Sequence, residues 1–517
     1  MADSKREIER KYEATAGTRL PDLSRVPGVS AVVHQGVTEL DAVYHDTEDH
    51  RLAADSLTLR RRTGGSDAGW HLKFPVASGI RDELREPLSA TLPRSLAGLV
   101  RSRVRGAALL PVVRLRSARD VHHLVDDRGE PLAEVVVDEV RAVRLTADGA
   151  TATWTEIEVE LADNGDPALL DAVERLLRKA GIRPSASASK LARALAETEP
   201  GTKPGSMKKA EKPEKAAREE PVPTTAGDHV LAYVRRQIEA IVALDPAVRR
   251  DLPDSVHQMR VATRRLRSAL RTYRRILDRD ATAPLGRELK WLAAELGVDR
   301  DQEVLDARLR GRLDELPRTL LLGPVRGRLR IRSTARRAGS RRRTVAVLDG
   351  KRYLALLEGL HALLADPPLL PAASRAPGRA LPRALLKEYG RLAERVGHAL
   401  DLPPGHDRDL ALHEARKAAK RTRYAAEAAR PALGRPAKRF AKRMKAVQSL
   451  LGDHQDSVVA REALRTLAAQ AHGAGESAFT WGLLYGREEA AAAACERELP
   501  GVWERASRPG LRSALGG

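Results

Sequence analysis

Residues 7 to 11 read EIERK, two carboxylates and an ammonium at alternate positions. On a strand, Glu7, Glu9 and Lys11 share one face while Ile8 and Arg10 share the other. On a helix, Glu7 and Lys11 sit four apart and form an ordinary exposed pair. Similar charged rows recur. Glu156, Glu158 and Glu160 alternate with Thr155, Ile157, Val159 and Leu161. Thr58, Arg60 and Arg62 alternate with Leu57 and Leu59, and Arg114 and Arg116 alternate with Val113 and Leu115. Strands of this kind either carry a wet outer face or close into a barrel with a charged interior and an apolar outside covered by helices. Clustered carboxylates without His or Cys suit hard cations such as Mg²⁺ or Mn²⁺. Planar arginine forks suit phosphate oxygens.

The elements that would position these groups fall into two sets. Up to about residue 197 the chain shows short alternating runs separated by turn signals, SLTLRRR, TGGSDAG and WHLKFP, then PVVRLRS, AEVVVDEV and TWTEIEVEL. A helix is expected over 166–180, ending at Gly181. From about 197 to 227 the sequence is rich in Pro and alternating charge and poor in large apolar residues, the composition of a flexible tether. Beyond it, long Ala- and Leu-rich stretches with helical period predict an all-α region. The fold class is therefore α+β.

The chain has 517 residues, enough for two to four domains. Its one cysteine, Cys495, excludes an internal disulfide and a thiolate metal site. The charged opening MADSKREIERK is unlike a signal peptide, and no apolar run reaches the ~20 residues that span a bilayer. These features predict a cytoplasmic protein with no membrane partner. The formal net charge of +21 is unevenly distributed: residues 225–517 hold 56 Lys and Arg against 34 Asp and Glu, residues 1–224 hold 35 against 36. A field of that sign captures polyanions. Few aromatics are available there to stack on bases, and no helix-turn-helix or RNA-binding signature is present, so specific nucleic-acid binding is not expected.

The basic half repeats itself. HQMRVATRRLRSALRTYRR places His257, Arg260, Arg264, Arg267, Arg271 and Arg274 at steps of three and four, one stripe of a helix. HEARKAAKRTRYAAE repeats the pattern with His413, Arg416, Lys420 and Arg423, and Lys417 lies beside it. LGVDRDQEV (296–304) matches LGDHQDSVV (451–459), aligning Asp301 with Asp456; Arg287 and Lys290 align with Lys442 and Lys445. The duplication predicts two pseudo-symmetric helical bundles. Asp301 and Asp456 are expected to pin neighbouring arginines.

Glu7, Glu9 and Lys11 match the ExExK signature of the CYTH, or triphosphate tunnel metalloenzyme, superfamily. YHDTEDHRL, LTLRRR, WHLKFP with Lys73, RDELREPL, VVRLRSAR, AEVVVDEV, WTEIEVEL and SKLARAL with Lys190 follow in that family's order, so residues 4–197 resemble it. The resemblance implies a closed antiparallel eight-stranded β-tunnel with flanking helices. It assigns catalysis to Glu7, Glu9, Lys11 and Lys73, and phosphate contacts to Lys11, Arg60, Arg62, Lys73, Arg114, Arg116, Arg119 and Lys190. Metal ligation falls to Glu7, Glu9, Glu158 and Glu160 with Asp138 in support; Glu156 with Glu158 is the alternative pair. Arg61, Arg81 and Arg85 are placed at the rim or outside, and which of Arg114, Arg116 and Arg119 turn inward is left open.

The helical half resembles the CHAD domain through its HxxRxxxRRLR and LGxxRDxxV patterns, over about residues 226–512. That resemblance implies binding of inorganic polyphosphate by His257, Arg260, Arg264, Arg267, Arg271, Lys290, His413, Arg416, Lys417, Lys420, Arg423, Lys442 and Lys445. The expected organisation is a tunnel domain at 1–197, a linker at 198–225 and a helical domain at 226–512. The expected function is Mg²⁺- or Mn²⁺-dependent triphosphate hydrolysis, inorganic triphosphate favoured, beside a polyphosphate-binding domain. The alternatives are a non-catalytic scaffold on polyphosphate granules, a thiamine or nucleoside triphosphatase, and an adenylate cyclase.

Overall fold

The computed structural model describes residues 3–146, 149–199 and 222–516, with the side chains of 3, 298–300, 335–338 and 340 left out of the description. Most of the expected linker lies outside these residues. The chain divides into two compact units, Met1–Glu219 and Glu220–Gly517.

Eight strands form the first unit's closed barrel: β1 (Asp3–Ala14), β2 (Ala31–Asp46), β3 (Thr58–Thr63), β4 (Gly69–Ala77), β5 (Ile80–Pro87), β6 (Leu110–Val125), β7 (Pro131–Arg144) and β8 (Thr151–Leu161). Their order around the ring is β1-β5-β4-β3-β2-β6-β7-β8, and every pairing is antiparallel. EIERK is thus strand: Glu9 faces Glu160 and Lys11 faces Glu158 across β1 and β8. The apolar rows face outward and are covered by helices. Leu57, Leu59, Leu72 and Leu84 pack with Leu52 of α1 (Arg51–Ala54) and with Leu96, Leu99 and Val100 of α2 (Arg94–Val104). Ile157, Val159, Val135 and Tyr12 pack against Leu170, Val173 and Leu177 of α3 (Ala168–Lys179).

One end of the barrel interior is apolar instead. Ala42, Tyr44, Val113, Leu115, Val140, Ala142 and Trp154 pack with Leu191 and Ala194 of α4 (Lys190–Glu197), which stoppers that end. The Ser189 side chain caps α4 by accepting from the Ala192 amide. This cap fixes Lys190, the first residue of the helix, at the inner end of the charged space.

The second unit is all helical: α5 (Ala226–Arg249), α6 (Ser255–Thr272), α7 (Arg279–Glu295), α8 (Gly297–Asp314), α9 (Val325–Asp349), α10 (Lys351–Ala365), α11 (Pro377–Asp401), α12 (His406–Gly473), α13 (Phe479–Ser507) and α14 (Pro509–Ser513). Helix α5 opens with a capping box between Thr225 and Asp228. Helix α12 bends at Gly434, where φ is +58°, between Pro431 and Pro436, which lack the amide donors a straight helix needs. One core joins α5, α6, α7 and α10; another joins α11, both arms of α12 and the end of α13. A third ties α8 and the start of α9 to the end of α12 and the start of α13. Each sequence repeat thus supplies a bundle and an extended hairpin, and the hairpins pack together. No helix among the described residues is long and apolar enough to cross a membrane.

Candidate functional site

Inside the barrel lies a cavity of about 540 Å³. Nine cationic side chains line it, Lys5, Lys11, Arg60, Arg62, Lys73, Arg81, Arg85, Arg119 and Lys190, against six anionic ones, Glu7, Glu9, Asp67, Glu134, Glu158 and Glu160. Glu83, Asp138 and Glu156 stand behind them, 0–2% exposed. Ions at this depth are tolerable only when paired, and they are paired. Lys73 Nζ lies 2.5 Å from Glu7 and 3.5 Å from Glu83. Lys11 bonds Glu158 and lies 3.4 Å from Glu9. Lys190 Nζ reaches Asp138 at 2.9 Å and Glu156 and Glu158 at 2.7 Å each, and Arg119 forks onto Asp138 at 2.9 and 2.7 Å.

Burial is the largest influence on most of these groups and opposes their charge, so neighbours decide the outcome. It lifts Glu7 to about 7 despite Lys73. At Glu9, Lys11 and then Lys73 and Arg81 overcome it, leaving the carboxyl below its usual range. Glu158, held by Lys11, Lys190 and Arg119, lies well below. Burial, followed by the nearby Arg60 and Arg119, pulls Arg62 down to about 9. Arg62 is ion-paired to Asp67 at the cavity wall, and a phosphate would add anionic charge between it and its neighbours Arg60 and Arg119.

Parity explains which expected residues reach the bore. Thr58, Arg60, Arg62, Lys73, Arg119, Glu7, Glu9, Lys11, Glu158, Glu160 and Lys190 line it. Arg114 and Arg116 do not: both turn outward to Asp41 and are 41% and 62% exposed. Arg119, an odd number of residues from both, takes the opposite face. At the stoppered end Val113 and Leu115 are the inward residues, so the charged row there belongs to the outer wall. Arg81 and Arg85, placed at the rim or outside by the sequence reading, line the cavity, as does Lys5. The signal was present in RDELREP, where Arg81, Glu83 and Arg85 alternate.

The clustered carboxylates of the bore offer oxygen donors, which suit Mg²⁺ or Mn²⁺, while His123, also on the lining, is engaged by Glu134. Carboxylate oxygens of Asp138, Glu156 and Glu158 all lie within 4.8 Å of one another. Glu160 sits nearer the other mouth, bonded to Lys5 at 2.6 Å, so the clustered pair on β8 is Glu156 with Glu158. The Trp154 indole donates to Glu156 at 2.7 Å and orients it.

In the helical unit, the two repeats converge. Arg260 of α6 contacts Asp301 at 3.1 Å through both terminal nitrogens, and Arg416 of α12 lies 3.8 Å from Asp456. Burial, then Arg416 and Arg264, pushes Lys420 down to about 7. Burial and Arg260 lower Arg264. The Nε donors of Arg260, Arg264 and Arg416 are buried without a hydrogen-bond partner among the described residues. Arg260, Arg264, Arg416 and Lys420 therefore form one cationic cluster. The other expected residues lie around or outside it. Arg423 is engaged by Gln448 and Glu427, and Lys417 by Glu414. Arg267, His257 and His413 are half-buried, while Arg271, Lys290, Lys442 and Lys445 are exposed.

Comparison with known proteins agrees with both units. Residues 5–195 match the CYTH domain and residues 232–465 match the CHAD domain. Two uncharacterized proteins of Mycobacterium tuberculosis, from strains H37Rv and CDC 1551, are each 38% identical over 511 residues, covering 95% of this chain and 94% of theirs. The chain belongs to the family of proteins that join a CYTH domain to a CHAD domain. Among solved structures, PptA from Streptomyces chartreusis is 22% identical, covers 55% of this chain and all of its own, and has a TM-score of 0.46. The CHAD domain of the plant Ricinus communis is 24% identical, with 57% of this chain and 92% of its own covered and a TM-score of 0.39.

Proposed function

We propose that the barrel hydrolyses a short phosphoanhydride, inorganic triphosphate first, and that the helical unit binds inorganic polyphosphate. The reading rests on the enclosed bore, where nine cations interleave with carboxylates, and on the CYTH match. Lys73, Arg60, Arg62, Arg81 and Arg119 replace the phosphates' water shell with fixed donors. Glu7, Glu9, Glu156 and Glu158 are the groups to hold Mg²⁺ or Mn²⁺, with Asp138 in support. When bound, the metal supplies charge neutralisation at the transferred phosphoryl. A second cation or a carboxylate of the bore outside the metal's ligands would prepare the attacking water for in-line displacement. The bore's lining among the described residues is mostly charged, which favours the simplest triphosphate over thiamine or nucleoside forms.

The polyphosphate reading rests on the convergent cluster, whose three guanidinium Nε donors, unpartnered among the described residues, suit an acceptor at every phosphate. The test compares orthophosphate release from triphosphate with Mg²⁺ or Mn²⁺ for the intact chain and for E7A/E9A, beside a polyphosphate-binding assay on both. Loss of release with retained polymer binding supports both assignments. Equal release overturns the catalytic one and leaves the scaffold.

A further inference from the structure

Strand β2 carries a bulge at Gln35, between the His34–His122 and Gly36–Val121 pairs with β6. Thr38, Leu40, Ala42 and Tyr44 point into the barrel, and an uninterrupted strand would turn His34 inward as well. The extra residue reverses the parity. Gly36, at φ +93°, takes the backbone conformation that the bulge requires. His34 consequently lies on the outer wall, directly across from His122, with Asp120 two residues along the same face of β6. Val121 and His123, the intervening residues, line the bore, so the outer cluster is separate from it.

His34 Nε2 lies 2.6 Å from one oxygen of Asp120, and His122 Nε2 lies 3.2 Å from the other. The rings stack at 4.9 Å between centroids. One ligand atom from each of the three residues falls within 4.8 Å of the others. We propose that His34, Asp120 and His122 form a site for a transition-metal dication of the Zn²⁺, Co²⁺ or Ni²⁺ kind. Two imidazoles are borderline donors that such ions prefer and Mg²⁺ does not, and these ions accept a carboxylate beside them. Bonds of about 2.0–2.2 Å need only small side-chain rotations from these positions. The open side leaves room for water. The ion would clip β2 to β6 where the bulge interrupts their ladder.

Two other clusters offer ligands less well. Asp138, Glu156 and Glu158 belong to the bore and are held by Lys190. Asp409 and Glu496, beside His454, are already neutralised by Arg461 and Arg408.

The untagged full chain is titrated with Co²⁺ in excess Mg²⁺ and followed by visible d–d absorption, and its thermal unfolding is measured with and without Zn²⁺. H34Q keeps a donor to Asp120 but removes the imidazole; H34A/H122A removes both rings. The expected result is one site whose affinity falls at least tenfold in either variant, with a Zn²⁺-dependent rise in unfolding temperature that both variants lose. Identical spectra and affinities in wild type and H34A/H122A overturn the proposal, as does a wild-type chain that binds neither ion below millimolar concentration.

Discussion

A β-carbon on Gly297 would lie 3.0 Å from Nη2 of Arg260. The second repeat shows the same relationship, Gly452 to Nη2 of Arg416 at 3.3 Å. These glycines open the LG motifs that the sequence duplicates, and their missing side chains make room for the two guanidinium groups that Asp301 and Asp456 anchor. Within a helix, Gly→Ala ordinarily stabilises by about 1 kcal/mol. Here it crowds the arginine, whose guanidinium must give by a few tenths of an ångström and so shifts against its aspartate. G297A/G452A is expected to unfold no earlier than wild type in a thermal melt but to bind polyphosphate several-fold more weakly in a filter-binding assay.

The opposite facings of Arg116 and Arg119 give a direct test of the bore. R114A/R116A alters only the outer wall and should leave triphosphate turnover within about twofold, as expected of surface changes. R119L removes a donor from the cavity and the partner of Asp138. Turnover should fall by about 100-fold, the usual consequence of losing one preorganised electrostatic contact. Steady-state phosphate release for the two variants checks both.

The alternation of EIERK and TWTEIEVEL made the inward acids legible, because one strand period separates them cleanly from the helix-covered face. That rule failed on β6. The stoppered end of the barrel is filled by Val113 and Leu115 against α4, so the same strand is apolar inside at one end and carries Arg119 inside further along. No local pattern records where a helix will plug a barrel. The bulge at Gln35 left a single trace, the isolated Gly36 beside it, and no charge pattern records the register shift it causes. In the helical half the repeated stripes were plain. Their convergence on Lys420 depends on how two bundles pack, which no spacing along one helix encodes.

Lys190 holds three carboxylates together. Replacing it with Met leaves Asp138, Glu156 and Glu158 with Arg119, Lys11 and the more distant Arg193 as their close cations. Stripping one partner from a buried ionic group costs about 3 kcal/mol or more. Chemical denaturation in EDTA should show K190M destabilised by that order. Added Mn²⁺ should recover part of the loss, because a dication between the same oxygens does the work of the missing ammonium. A variant equally unstable with and without metal would argue against cation binding at these residues.

Lys420 sets a pH dependence whose sign follows from its environment. Burial and the neighbouring Arg416 and Arg264 lower it to about 7 in the folded chain, from 10.5 when exposed. Between those values the unfolded chain holds a proton that the folded one does not, so this group makes the free protein more stable as pH rises from 7 towards 10. Below pH 7 the full cost of charging it is present, about 2 kcal/mol after allowance for solvent screening. K420M should therefore be more stable than wild type at pH 7, with the gap closing by pH 10 in urea denaturation curves. Polyphosphate bound as proposed would reverse the preference, since an anion beside Lys420 favours the ammonium. Binding by the wild-type chain at pH 8 should take up a proton, seen by calorimetry in buffers of different ionisation enthalpy, and should weaken as pH rises. K420M should show a smaller uptake and a flatter profile; identical uptake in both chains would place the polymer away from this cluster.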